Sequence, residues 1–158
     1  MTAYKFPKQE RLTSDKLEEE LFVSKQRRSA SAFPLRAVWL LKERPQHDGN
    51  TAASVQLVVS SPKKMLHHAV DRNRARRQVR EAWRLNSQRL KEAVPAGKML
   101  LLALVWTAPT PRPTTEVFLK AICLMERITR DLKRASSSKS FLEKYVYKIC
   151  IKNRHIYK

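Results

Sequence analysis

Glycine is almost absent from this chain, with two in 158 residues, and that removes one whole class of function at once. Phosphate-cradling loops need several glycines so that backbone N–H groups can close on the ligand. Cysteine is equally scarce. Cys123 and Cys150 stand at no metal-ligand or redox spacing, so a zinc site or disulfide framework is not expected and the thiols suit a reducing compartment. Long apolar runs are missing too: the most apolar stretch, Met99 to Trp106, is far too short to span a bilayer. Met1 to Arg11 is polar and lacks the apolar core of a signal peptide. A cytoplasmic protein with no membrane partner is therefore expected. Acidic residues are the last shortage, 14 against 33 Lys and Arg, leaving a net charge of +19. A compact body with that excess repels itself unless a polyanion neutralises it, and nucleic acid is the usual one.

Few carboxylates also means few places for hydrolytic chemistry. Glu18, Glu19 and Glu20 are consecutive and point different ways around a helix, so they cannot converge on a pair of metal ions. His67 and His68 diverge by about 100° on a helix and cannot chelate one metal from one face. His47 and His155 have no acidic or histidine partner at useful spacing. No catalytic residue, metal ligand or protein-bound cofactor is predicted.

What is present has the composition of one soluble domain, 42% hydrophobic and 30% charged. Ser14 to Lys25 reads as a short amphipathic helix, with Thr13 and Ser14 as cap residues and Leu17, Leu21 and Phe22 on one side. Gln26 to Ala32 is polar and reads as a connection. Phe33 to Lys42 suits a strand, with Pro34 at its start or on an edge. Gln46 to Asn50 has turn composition, and Ser54 to Ser61 is a second β-branched run. Ala69 to Val94 contains no Gly or Pro and is helical in pattern; Lys98 to Thr107 is a buried strand. Thr114 opens a last amphipathic helix carrying Val117, Ala121, Leu124, Ile128 and Leu132. The order is helix, strands, helix, strand, helix, an α+β arrangement of helices on a sheet. Ala135 to Ser140 reads as a linker. Phe141 to Lys158 alternates aromatic or aliphatic residues with Lys and Arg, as either a disordered basic tail or a segment that orders on RNA.

Function concentrates between Lys63 and Lys91, where ten Lys or Arg face only Asp71 and Glu81. On a helix, Arg72, Asn73, Arg76, Arg77, Arg80 and Arg84 fall within an arc of about 140°. Ala75, Val79, Ala82, Trp83 and Leu90 occupy a largely separate arc that can pack on the sheet. Arginines at 72, 76, 80 and 84 repel one another at i, i+4 spacing. A merely solvated face would mix in more Glu, so this one points to a bound anion. Arginine suits the task because its planar fork holds two phosphate oxygens and stacks on bases.

The run Ala69-Val70-Asp71-Arg72-Asn73-Arg74-Ala75-Arg76-Arg77-Gln78-Val79-Arg80 resembles the Ala-Val-x-Arg-Asn-x-x-Lys/Arg-Arg-x-x-Arg helix of the bacterial ribonuclease P protein family. As in that family, a strand ending in Ser60 and Ser61 and a lysine pair, Lys63 and Lys64, precede it. Arg11-Leu12, Leu21-Phe22 and Phe33-Pro34-Leu35 fit the family's pattern as well, and the likeness covers residues 8 to 134, leaving 135 to 158 as a separate tail. Departures are Arg76 where Lys is usual, Met65 at a usually basic position, and Leu17 in place of an aromatic residue.

The resemblance implies a four-stranded sheet packed by helices, a ribosomal-protein-like domain with a left-handed crossover. It implies that Arg72, Asn73, Arg76, Arg77, Arg80 and Arg84 dock on a catalytic RNA. A cleft formed by Phe22, Phe33, Ser60, Lys63 and Lys64 would take the single-stranded 5′ leader of precursor tRNA, though Phe22 and Phe33 can equally be core residues. Hydrolysis would belong to the RNA and its magnesium, with the protein as an accessory subunit and no protein partner. A non-enzymatic RNA-binding protein, such as a ribosomal protein, would use the same basic helix. A helix-turn-helix DNA binder would need a second helix closely preceding it, and none is visible.

Overall fold

The computed structural model describes residues 6–45 and 53–153, with side chains through Ser136. A short 3-10 turn, Lys8–Glu10, leads into α1 (Asp15–Val23). Then come β1 (Arg28–Ala32), β2 (Leu35–Glu43), β3 (Val55–Ser60), α2 (Ala69–Asn86), α3 (Gln88–Ala93), β4 (Lys98–Trp106) and α4 (Thr114–Asn153). The strands form one four-stranded sheet in the order β1-β2-β4-β3. β2 is antiparallel to both β1 and β4, whereas β3 and β4 run parallel. A parallel pair cannot be joined by a hairpin, and here α2 and α3 make the crossover. This is the α+β fold that the sequence predicts.

β4 is apolar on both sides because both faces of the sheet are covered. Leu100, Leu102, Leu104 and Trp106 point into the larger core with Leu35, Ala37 and Trp39 of β2 and Val55 and Leu57 of β3. Val79, Ala82 and Trp83 of α2, Leu90 of α3 and Val117, Ala121, Leu124, Ile128 and Leu132 of α4 cover that face. The alternate residues Met99, Leu101 and Ala103 join Val38 and Leu40 in a smaller core closed by Leu12 and Leu21. α1 therefore sits alone against the second face. The turn into β4 contains Gly97 at φ 77°, a left-handed conformation that L side chains rarely adopt, and its carbonyl accepts from the Arg44 N–H at 2.9 Å.

Four local expectations are corrected. Residues 28–32, read as connection, form edge strand β1, in which Ala30 is the buried residue. β2 begins at Leu35 instead of Phe33, because Phe33 and Pro34 make the turn from β1, and the Pro34 carbonyl accepts from Thr107 N–H at 2.9 Å. The single helix expected over 69–94 is two helices meeting at buried Ser87. The backbone of α4 also continues through the expected linker, Ala135 to Ser140, as far as Asn153. The hydroxyls of Thr129, before that segment, and of Ser136, within it, donate to the carbonyls four residues back, so a polar composition does not interrupt the helix. The expected turn at Gln46 to Asn50 and the end of the tail, 154–158, lie outside the described residues. Among the described residues no helix is long and apolar enough to cross a membrane.

Candidate nucleic-acid interface

α2 is anchored by Ala75, Gln78, Val79, Ala82 and Trp83, all buried, and this fixes which way its arginines face. Gln78 is the unexpected member. Its amide nitrogen donates to Thr114 Oγ1 at 2.9 Å and to the Arg112 carbonyl at 3.2 Å, which makes its burial tolerable and ties α2 to the loop before α4.

The opposite arc carries the predicted residues, held in different ways. Asn73, Arg77 and Arg80 are exposed, and Arg72, Arg76 and Arg84 are partly covered. Arg72 turns back on its own helix start, donating to the Leu66 carbonyl at 3.0 Å and the His67 carbonyl at 2.6 Å. The Ser61 hydroxyl donates to the Arg72 carbonyl, closing the loop between β3 and α2. Asn73 Oδ1 accepts from Arg76 at 2.6 Å and so orients that guanidinium. Arg84 is paired with Glu81, its Nε donating at 2.9 Å. That hydrogen bond holds the Glu81 carboxyl below the usual carboxylate range and raises the Arg84 guanidinium. Arg80 differs: partial burial, then the charges of Arg76 and Arg11, lower its pKa. It remains a cation, because guanidinium does not titrate in the accessible range.

Of the second predicted group, Ser60, Lys63, Lys64 and Phe33 lie at one end of the sheet, whereas Phe22 lies toward the other, on α1 between Glu20, which pairs with Lys42, and Ser24. Strand alternation puts Ser60 on the α1 face, in the same register row as Val105 of β4 and Arg36 of β2. Arg36 is exposed there, beyond the part of the sheet that α1 covers. Lys63 and Lys64 are exposed in the turn after β3, where Pro62 accepts from the N–H groups of Met65 and Leu66. Phe22, on α1, is 38% exposed and Phe33 is 47% exposed, so neither is a plain core residue. They belong to different elements. Phe33 lies in the β1–β2 turn with the Arg112 guanidinium 4.8 Å from its ring centroid, a cation–π contact, while Phe22 rides on the helix over the second face.

Arg11, Arg36 and Arg112 were not predicted as site residues. Arg36 was accessible to sequence reasoning as a charge directly before the apolar run Ala37 to Leu41. Arg11 and Arg112 were not, because only the tertiary fold carries them to Arg80 and Phe33. Among the described residues no group of three His, Cys, Asp or Glu could hold a metal ion. His67 and His68 meet edge to face, with centroids 5.6 Å apart.

Three comparisons bear on this arrangement. A search of curated proteins finds no match. The structure is similar to the RNase P protein of Staphylococcus aureus, solved at 2.0 Å, with a TM-score of 0.55 and 15% identity, over 76% of this chain and 97% of that one. At that identity the likeness speaks for the fold alone. The family model described as Ribonuclease P matches residues 6–120, which takes in the N-terminal segment, the sheet and the arginine-rich helix. With the sequence match, the shared fold and the guanidinium-lined crossover helix in agreement, the chain belongs to the ribonuclease P protein family.

Proposed function

We propose that this chain is an RNA-docking and leader-gripping subunit: α2 binds the catalytic RNA of ribonuclease P, and the open end of the sheet holds the 5′ leader of precursor tRNA. The observation that carries this reading is the division of α2 into a buried arc and a guanidinium-bearing arc, where among the described residues no carboxylate pairs with Arg77 or Arg80. Planar forks on a rigid helix suit the phosphates of a folded RNA. At the sheet's end, Lys63, Lys64 and Arg36 offer charge and Phe33 an exposed ring, and Phe22 offers a second exposed ring farther along, on α1. Such a mixture suits an unpaired strand, because base–aromatic stacking contributes about 1–3 kcal/mol per base and tolerates many sequences.

Hydrolysis is assigned to the RNA with its magnesium. The protein neutralises charge and lengthens the grip on substrate. The test adds purified chain to a bacterial ribonuclease P RNA at low magnesium and follows 5′ cleavage of precursor tRNA. Cleavage should depend on both components, and precursor should bind more tightly than mature tRNA, by a margin that Lys64→Ala reduces. Cleavage by protein stripped of all RNA would overturn the assignment of chemistry. Equal affinity for precursor and mature tRNA would remove the leader site. No stimulation of the RNA at any magnesium concentration would leave the chain an RNA-binding protein of another kind.

A further inference from the structure

We propose that Arg11 completes a three-guanidinium phosphate site with Arg76 and Arg80, and that the Glu10–Lys91 ion pair is the clasp that aims it. This deepens the RNA-docking reading above and rests on it.

The N-terminal segment is fixed on both sides of Arg11. Glu10 Oε1 accepts from Lys91 Nζ at 2.6 Å, with the two side chains only 13% and 24% exposed, and Glu10 Oε2 faces Trp83 Nε1 at 3.4 Å. On the other side the Leu12 N–H donates to the Leu57 carbonyl at 3.0 Å, Arg11 bridges to Leu57 in parallel register, and the Leu12 side chain is buried. Between these anchors the Arg11 backbone is extended and its side chain exposed, beside the Phe6 ring at 5.3 Å. Trp83, which Glu10 touches, sits about 20° from Arg76 and about 60° from Arg80 around the axis of α2. The clasp thus delivers Arg11 to the Arg76–Arg80 edge of the helix, away from Arg74 and Gln78.

Charge makes this more than adjacency. Two cations elsewhere on the surface do find carboxylates, Arg84 with Glu81 and Lys42 with Glu20. Among the described residues no carboxylate pairs with Arg11 or Arg80, and Arg76 meets only the neutral Asn73 amide. Besides partial burial, the charges of Arg76 and Arg11 act on the Arg80 guanidinium, so each of the two lies within Coulombic reach of Arg80. Free side chains would splay apart to relieve that repulsion. Here the backbone at Arg11 is held by its neighbour Glu10, whose largely buried ion pair reaches a different helix, and breaking such a pair leaves an uncompensated charge. An RNA phosphodiester group, chelated by forks from two separate parts of the chain, is the ligand that fits.

The experiment measures affinity of the full chain for a bacterial ribonuclease P RNA as a function of KCl. Arg11→Ala should weaken binding and reduce the salt slope by about one unit, with the thermal midpoint unchanged. Arg11→Ala and Arg80→Ala together should cost less than the sum of the two, because they share one phosphate. Glu10→Gln should weaken binding when Arg11 is present and do nothing further in the Arg11→Ala background. A merely structural role for Glu10 would weaken both equally, and that result overturns the clasp. If Glu10→Gln does not fold, Lys91→Met is read against the same two backgrounds. Unchanged affinity and slope in Arg11→Ala overturns the site itself. Should Arg76→Ala with Arg80→Ala also leave binding unchanged, α2 does not dock RNA at all; if that double variant binds weakly while Arg11→Ala binds normally, only the present proposal fails.

Discussion

Arginines that look equivalent on one helix divide by what holds them. Arg72 donates to two backbone carbonyls and secures the loop that carries Lys63 and Lys64, whereas Arg77 projects into solvent. Removing a charged donor from such carbonyls costs about 1–3 kcal/mol, and an exposed substitution usually stays within about 0.5 kcal/mol. Arg72→Ala should therefore lower the urea midpoint, while Arg77→Ala should leave it and weaken only RNA binding. Equal loss of stability in the two would mean that the Arg72 contacts do not persist in solution. Glu81 supplies a pH test. Its native carboxyl is held low by the Arg84 hydrogen bond, so the pair's contribution is complete above the ordinary carboxylate range and fades as pH falls through the depressed native value. Glu81 is exposed, and solvent screens the pair, so the effect is small. Thermal midpoints of the protein and of Glu81→Gln should separate slightly at neutral pH and converge in acid. A gap that widens in acid would contradict the pairing.

Elements differ in how much of them the residues disclose. α2 was legible because its two arcs differ so sharply in chemistry, and β4 because a strand buried on both faces is apolar at every position. β1 was not: Arg-Ser-Ala-Ser-Ala alternates only between serine and alanine, a contrast too weak to mark a strand, since an edge strand needs only Ala30 inward and gains its place through pairing with β2. The basic residues Arg27 and Arg28 at its start also suit an edge, where charge discourages pairing with other chains. The break at Ser87 is invisible because neither Gly nor Pro marks it. The Val, Leu and Trp content of the segment from Phe33 suits a strand, yet Phe33 and Pro34 themselves make the turn before it. Depth within the sheet can be tested on β4, where neighbouring leucines face different cores. Leu102→Ala, in the larger core, should cost toward the upper end of the 2–5 kcal/mol typical of such truncations, and Leu101→Ala, in the smaller one, toward the lower end. Chemical denaturation measures both, and the reverse ranking would show that the smaller core relaxes less.

The whole molecule carries +19, and composition alone disclosed that a polyanion should bind. Composition could not disclose that Arg11 joins α2 from some seventy residues away, since only the fold brings them together. Self-repulsion of that magnitude should make stability depend on anions beyond simple screening, because a multivalent anion bound at guanidinium clusters stabilises by mass action. Sulfate should raise the thermal midpoint more than chloride at equal ionic strength. Equal effects would mean that no cluster binds anions specifically. The same molecule is also asymmetric across its sheet. One face is sealed by three helices, and the other by α1 alone, which rests on Leu17 and Leu21 and a surface pair between Glu20 and Lys42. Regions with few buried contacts open at lower free energy than the core, and amide exchange reports each opening separately. Amides of α1 should exchange well before those of β4 and α2. The side of the protein proposed to hold the leader is then a door on a thin hinge, able to swing for strands of differing sequence while the face proposed to meet the catalytic RNA stays shut and rigid.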